Sequence, residues 1–489
     1  MSNLTGINES TVRSVVEEVL RKLNGESAAP AAGSATTECG CGGQRATNSG
    51  SGADGVFSCG KEASAAAHEA FLALQQLGMA GRQKVVDIVK TLCTDKQEEW
   101  GRLEFEETKI GRLEHKIDKL RGIKNIPGTE WLSPYGMSGD HGIAMEEQTP
   151  FGVIGAITPV THSIPTLSCN IINMVAAGNA VVFNAHPGGA RCAAESVRVY
   201  NRAFRRELGI DNLCTIVEHP TLESFQAIAQ SPEVRLLCVT GGPGVVAAAM
   251  KSGKRAICAG PGNPPVVVDE TARLDRAARD IIIGGAYDNN LLCIGEKEVF
   301  VVDKVYREFI AAFKAAGAYP INDTQLEALT RECFAQKDGH WMLNRDVVGL
   351  DAPVLAEHGG VRPPADCKLL FAETSADHLF VVEEQMTPMI PIVRVRDVEE
   401  GIERSKVAEH GYKHSSMIHS LNVENMTAMA RALDSTLFVK NGPCVAGLGS
   451  GGEGYSSFSI ATTTGEGITT PKTFTRTRRC VMVDNLRIW

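Results

Sequence analysis

The chain has 489 residues, too many for one simple core, so two large domains are expected. With 43% hydrophobic and 22% charged residues it resembles an ordinary globular protein, and a net charge of −9 argues against nucleic acid or an anionic membrane as main partner. No apolar run could span a bilayer, and the 14 cysteines show no disulfide-framework spacing, so a cytoplasmic chain with free thiols is expected.

The first residues form a unit of their own, without the basic-then-apolar pattern of an export signal. In "NESTVRSVVEEVLRKLNGE", Val12, Val15, Val16, Val19, Leu20 and Leu23 recur at helical spacing. They make one apolar stripe on a helix within residues 1–24. From 25 to 56 the chain is rich in Ala, Gly, Ser and Thr, the composition of a flexible linker. A tethered helix either folds back onto the body or offers its stripe to a partner's groove, and docking is the favoured reading. Cys39 and Cys41 have no second Cys or His pair nearby and make a poor zinc site. No metal is expected elsewhere either.

From Phe57 to Leu120 the apolar spacing is helical. After a polar, turn-rich passage, strand and helix patterns alternate. "FGVIGAIT", "AVVFN", "LCTIV", "RLLCVT" and "RAICAG" have strand character. Between them, "TLSCNIINMVAAG", "ARCAAESVRVYNRAFRREL", "LESFQAIAQ" and "PGVVAAAMKSG" have helical character. Such alternation implies βαβ crossovers and a parallel sheet with helices on both faces. A second mixed segment follows from about Pro265 to Val445. The tail "TFTRTRRCVMVDNLRIW" is strand-like and could pair with another subunit.

Two kinds of residue carry chemistry. In "AYDNNLLCIGEKEVF", Cys293 follows the polar Asp288, Asn289 and Asn290 and precedes a β-rich run. A thiol where a polar loop enters a strand can be exposed, which makes it a candidate nucleophile rather than a buried hydrophobe. In "VTGGPGVV", Gly241, Gly242 and Gly244 would let backbone N–H groups approach a pyrophosphate at a helix N-terminus. The turn does not match G-x-G-x-x-G, and alone it is a weak signal. "FNAHPGGA" is a second candidate cofactor turn, through His186 and Pro187, or else a plain loop.

Taken in order, "PFGVIGAITPVTHSIPT", "AAGNAVVFNAHP", "TGGPGVV", "AGPGNPPVVVDE", "DNNLLCIGEKEV", "EEQMTPMIPI", "GYKHSSMIHS" and "TTGEGITTP" resemble CoA-acylating aldehyde dehydrogenases of the kind housed in bacterial microcompartments. The resemblance runs from about Phe57 to the C-terminus. It implies an α/β fold with two Rossmann-type parallel-sheet domains and a small β oligomerisation arm. The cofactor domain would span 57–264, with part of the arm near 125–147, and the catalytic domain 265–445. Residues 446–489 would return to the cofactor domain and supply an oligomerisation strand, in a homodimer or homotetramer.

The implied activity is oxidation of a short aldehyde, propanal first and acetaldehyde next, with NAD and coenzyme A, giving acyl-CoA through a Cys293 thioester. His162 stands where relatives carry an oxyanion-donating Asn; it would donate N–H to the oxyanion or else be a plain loop histidine. The implied cofactor contacts are Thr158, Pro159, His186, Pro187, Gly188, Thr240, Gly241, Gly242, Val245, Gly260, Glu384 and Met386. Of these, Glu384 would hold the nicotinamide ribose. His410 and His414 would be structural or line the coenzyme A channel, and Gly465 and Gly467 would form a turn near the site's mouth.

Hydrolytic relatives use a glutamate in the stretch matching "ICAGPGNPP", but from Ser252 to Val268 this chain has no acidic residue, and the position falls near Cys258. Without a base water is a slow acceptor, whereas a thiol needs less help. The N-terminal helix resembles an encapsulation peptide, which implies docking to a shell protein in a microcompartment lumen. A hydrolytic enzyme and a non-catalytic scaffold are the alternatives.

Overall fold

Ala63, Ala67, Ala70 and Leu74 recur at helical spacing, and there the chain winds into its longest helix, Gly60–Asp95 (α1), interrupted at Gly78 by a non-helical φ of +59°. The computed structural model describes residues 52–337 and 339–486. The N-terminal stripe and the Cys39–Cys41 pair lie outside them. The chain divides into Met1–Ser49 and Gly50–Trp489, and the described residues belong to the second unit.

Two parallel sheets form the body. The first is built from Val56–Phe57 (β1), then, after Tyr135–Gly139 (β2) and Gly142–Pro150 (β3), from Val153–Thr158 (β4) and Ala180–Ala185 (β5). Cys214–Val217 (β6), Val234–Thr240 (β7) and Arg255–Ala259 (β8) complete it, in the order β1-β6-β5-β4-β7-β8. Every residue of β4, β5 and β6 is buried, as a sheet covered on both faces requires. Helices Gln97–Thr108 (α2), Leu113–Gly122 (α3), Ser163–Ala176 (α4), Ala190–Leu208 (α5), Leu222–Gln230 (α6) and Pro243–Met250 (α7) accompany it.

The second sheet takes Pro265–Val268 (β9), Glu298–Val302 (β10) and Tyr319–Pro320 (β11). Past the hairpin Phe334–Lys337 (β12) and His340–Leu343 (β13) come Leu370–Thr374 (β14), Met389–Val395 (β15), Ser415–His419 (β16) and Leu437–Lys440 (β17). Its order is β11-β14-β15-β10-β9-β16-β17. Ile460–Ala461 (β18) and Gly467–Ile468 (β19) form a small ladder, with Gly465 and Gly467 at positive φ. The adjoining Thr464 hydroxyl accepts from Cys258 N at 2.9 Å, so this turn is anchored on β8.

Two expectations change here. The segment 25–56 is not linker to its end. Val56 pairs with Ile216, and the Asp54 carboxylate bonds Arg202 at 2.6 Å and Arg205 at 3.0 Å, contacts that a composition window cannot register. The strand-like tail, Thr475–Val483 (β20), finds its partner within the chain, pairing antiparallel with β3 across nine residues. β2, β3 and β20 make a three-stranded sheet whose Tyr135, Met145, Val481, Met482 and Val483 stay exposed.

Asn179 joins these parts. Buried after the helix-ending Gly178 (φ +89°), its Oδ1 accepts from Phe151 N and Gly152 N at 2.7 and 3.1 Å. Its Nδ2 donates to the carbonyls of Met174 and Phe474, both at 3.0 Å. Asn179→Ala should therefore cost about 2–4 kcal/mol by orphaning buried main-chain groups. Urea unfolding should show a lower midpoint with an unchanged slope; an unmoved midpoint would mean water replaces the amide.

Candidate active site

In the first sheet the chain moves outward from β4 to β5 and β6, then returns to β7 on the other side of β4. The loops after β4 and β7 part at this reversal, and a crevice opens at the strand ends. It forms one end of a cavity of about 1090 Å³. Its wall includes Thr158 and Pro159 after β4, His186 and Pro187 after β5, and Thr240, Gly241, Gly242 and Val245 at and beyond the end of β7. Gly260, His162, Cys293, Glu384 and Met386 line it as well. Among the expected contacts only Gly188 is missing from the wall. Its N–H is spent on His186 Nδ1 at 3.1 Å, and the first N–H groups of α5 are held by Glu107, at 2.8 Å for Arg191 and 2.6 Å for Cys192.

The glycine turn fits a dinucleotide. Helix α7 begins at Gly242 with no side-chain cap, and Pro243 at its first position has no N–H to satisfy. Its first intrahelical bond is from Val246 N to Gly242 O, which leaves the Gly244 and Val245 N–H groups before it. The buried Thr158 Oγ1 and Thr240 Oγ1 also lack partners, so polar groups wait for an anionic, hydroxyl-rich ligand at the strand ends.

Cys293 sits in a turn after an unusual run. Asp288, Asn289 and Asn290 have φ of +49°, +56° and +64°, and this polar loop is itself fully buried. Their polarity is met from within the protein, except at Asn289 Oδ1, which has no partner among the described residues. Asn289 Nδ2 donates to Gly349 O and Asp351, Asn290 Nδ2 to Glu296 O, and Lys297 Nζ to Asn290 O, all within 2.9 Å. Asn and Asp tolerate left-handed backbone better than other side chains, so their presence here is conformational. Cys293 itself is half-buried. Its N–H is not used by a main-chain carbonyl among the described residues. Burial first, then the Glu384 charge, push the thiol up to about 12, while Lys297 and Lys119 pull against them.

His162 is the N-cap residue of α4, 6% exposed, with Nδ1 unpartnered. Burial, aided by Lys119 and Lys116, lowers its pKa well below the ordinary range, so the imidazole is neutral and carries one N–H. The stretch after β8 lies against the nucleophile: a Cβ at Gly262 would fall 2.6 Å from the Cys293 carbonyl oxygen and 2.9 Å from the His414 ring. His414 is buried with Nδ1 on Ser415 Oγ at 2.8 Å and Nε2 free of partners, and burial depresses its pKa to about 4. His410 instead meets Val382 O on the surface. Burial raises the Glu384 carboxyl, against Lys297 and the Gly262 main chain.

The sequence missed Lys297 and the Lys116–Lys119 pair, whose proximity to the site only the fold creates. Each has charged or polar neighbours in the chain, Lys297 between Glu296 and Glu298, so no local signal marked them.

A model of the aldehyde dehydrogenase family matches residues 58–476. The chain belongs to the aldehyde dehydrogenase family. Its similarity to an acetylating acetaldehyde dehydrogenase of Bilophila wadsworthia is 38% identity over 99% of both chains. A propionaldehyde dehydrogenase of Rhodopseudomonas palustris, solved with bound CoA and an acylated cysteine, is 42% identical with a TM-score of 0.86, covering 89% of this chain and 100% of that one. One from the Clostridium phytofermentans fucose utilisation bacterial microcompartment is 42% identical with a TM-score of 0.87, over 89% and 100%.

For this aldehyde dehydrogenase, the Gly262 contact is a tight geometric demand. Gly262→Ala should leave the circular dichroism spectrum intact and lower kcat by about 10²-fold, since displacing a reacting group by an ångström costs on that order. Wild-type turnover would show that the Cys293 loop yields without harm.

Proposed function

We propose that this chain is a CoA-acylating aldehyde dehydrogenase that converts a short aliphatic aldehyde, propanal foremost and acetaldehyde next, into acyl-CoA. One observation carries this reading. The stretch packed against Cys293, Ala259 to Gly262, brings no carboxylate into a cavity that also holds the nucleophile and the dinucleotide-type turn.

Bound NAD+ supplies the hydride acceptor; Thr158, Thr240 and the α7 N-terminus would hold it, with Glu384 on a ribose. Cys293 Sγ forms the bond to the aldehyde carbon as the thiol proton passes to solvent in the cavity, and the carbonyl π electrons move onto the oxygen. The Cys293 N–H and the neutral His162 imidazole donate to the oxygen as charge develops on it. Loss of hydride from that carbon leaves an acyl thioester on Cys293. Leu292, Ile294 and Phe458 in the wall suit an alkyl chain and exclude water from the thioester. The coenzyme A thiolate then attacks the carbonyl, and Cys293 departs as thiolate.

A hydrolytic reading has one observation in its favour, because the Glu384 charge reaches the thiol. NADH formation from propanal with and without coenzyme A separates the two. Coenzyme A-dependent turnover with acyl-CoA as product is expected, and Cys293→Ala should abolish it while retaining the fold and NAD affinity. Equal rates without coenzyme A would mean hydrolysis, and no turnover at all would leave a scaffold.

We further propose that the exposed β2–β3–β20 sheet joins copies of the chain as a homodimer or homotetramer, and that residues 1–24 dock to a microcompartment shell protein. The apolar stripe from Val12 to Leu23 supports docking. Because Asp54 and β1 belong to the body, the clean truncation removes only residues 1–49. That variant should keep full soluble activity and lose co-sedimentation with shells. Retained co-sedimentation would rule out the helix as the address.

A further inference from the structure

Covalent chemistry at Cys293 needs two loops in fixed relation, its own and the one bearing His162, and a single buried cluster touches both. Lys116 and Lys119 lie one turn apart on α3, Glu104 faces them from α2, and Asp288 opens the left-handed turn before Cys293. All four are at most 2% exposed. Lys119 Nζ is paired with Asp288 Oδ2 and donates to the Thr161 carbonyl at 3.3 Å. Lys116 Nζ donates to the same carbonyl at 2.6 Å and lies 3.4 Å from both Asp288 Oδ2 and Glu104 Oε1. Glu104 Oε2 accepts from Ile164 N at 2.9 Å. The cluster thus grips the main chain on both sides of His162.

It grips the nucleophile loop as firmly. Asp288 Oδ1 accepts from Arg112 N, and Asp288 N donates to His115 Nδ1, each at 2.8 Å. A Cβ at Gly111 would fall 2.2 Å from Asp288 Oδ1, so this close approach of the carboxylate requires glycine at 111. The positive φ run from Asp288 to Asn290 is costly backbone that persists only where the surroundings over-determine it.

We propose that Lys119 and Asp288 are positioning residues of the active site, their buried ion pair locking the Cys293 loop to the His162 loop. The proposal rests on the acyl-transfer reading for the meaning of turnover, but its geometry stands apart from it. Two lysines and two carboxylates balance. Removing one member leaves an uncompensated buried charge, which destabilises strongly. Removing Lys119 and Asp288 together leaves Lys116 with Glu104, still balanced, and removes the direct ion pair between the loops, with Lys116 Nζ still on the Thr161 carbonyl.

The experiment uses the full chain as Lys119→Met, Asp288→Asn and the double variant. The single variants should lose thermal stability. The double variant should unfold within about 3 °C of wild type, yet its kcat for propanoyl-CoA formation should fall about 10²-fold with KM for propanal and NAD within about twofold. A second readout is alkylation of Cys293 by iodoacetamide at one fixed pH, followed by peptide mapping. The charges of Glu384, Lys297 and Lys119 reach the thiol, and the His414 ring lies across Gly262. Losing the Lys119 charge should therefore slow alkylation in Lys119→Met, and the loosened loop should change the rate in the double variant.

Wild-type kcat in the double variant overturns the proposal. So does a double variant that unfolds well below wild type, because the pair would then be holding the fold rather than the site. If the wild type has no coenzyme A-dependent turnover, the acyl-transfer reading falls and alkylation alone judges the pair. Equal rates in wild type and double variant would then overturn it.

Discussion

The site depends on a reversal of strand order. A parallel sheet cannot be wound outward in one direction and then the other without separating two neighbouring loops, and here they are the loops after β4 and β7. The loops after β5 and β6 also reach the cavity, through His186, Pro187 and Thr221, but the opening itself lies where the strand order reverses. The cofactor turn, the His162 loop and the crevice between them follow from that one topological fact. The second sheet then has only to bring Cys293 to the crevice.

Bringing it there has an electrostatic consequence. The residues before Cys293 are polar and buried, so each had to find a partner inside the protein, and several of those partners are cations. Lys297 and Lys119 favour the thiolate, while burial and Glu384 oppose it more strongly and hold the resting thiol protonated. The neutral His162 and His414 follow from the same burial. The resting site therefore presents neutral imidazoles and an un-ionised thiol, with cations fixed behind them. It is arranged to stabilise charge that appears during the reaction rather than before it.

What the sequence made legible was whatever depends on neighbours in the chain. "VIGAIT", "AVVFN" and "RLLCVT" are largely apolar because parallel strands bury both faces, with Arg235 as an exposed exception, and each became a strand. The Gly241–Gly242 turn and Cys293 stood out for similarly local reasons. Distant pairing was hidden. Asp288 to Asn290 read only as a polar loop because the groups that satisfy Asp288 lie about 170 residues earlier. The tail's partner strand, and the arginines that draw Asp54 into the body, are as remote. At Gly188 the N–H is held by the His186 ring two residues back, a local bond that composition does not show.

The choice of acyl acceptor illustrates how a function can reside in a missing group. A hydrolytic enzyme needs a carboxylate that activates water at the thioester, in addition to Glu384, whose charge already reaches the thiol. Here the stretch facing it is closed to side chains at Gly262, where even a methyl group would collide with the Cys293 carbonyl. At Cys258 the side chain points into the apolar core of the first sheet, its N–H tied to Thr464. A glutamate there would bury a charge in the apolar core of the first sheet before it could reach the cavity. The bias toward a thiol acceptor is therefore more than the loss of one residue. It is written into the packing of β8 and the turn after it, which would have to be rebuilt to let water compete.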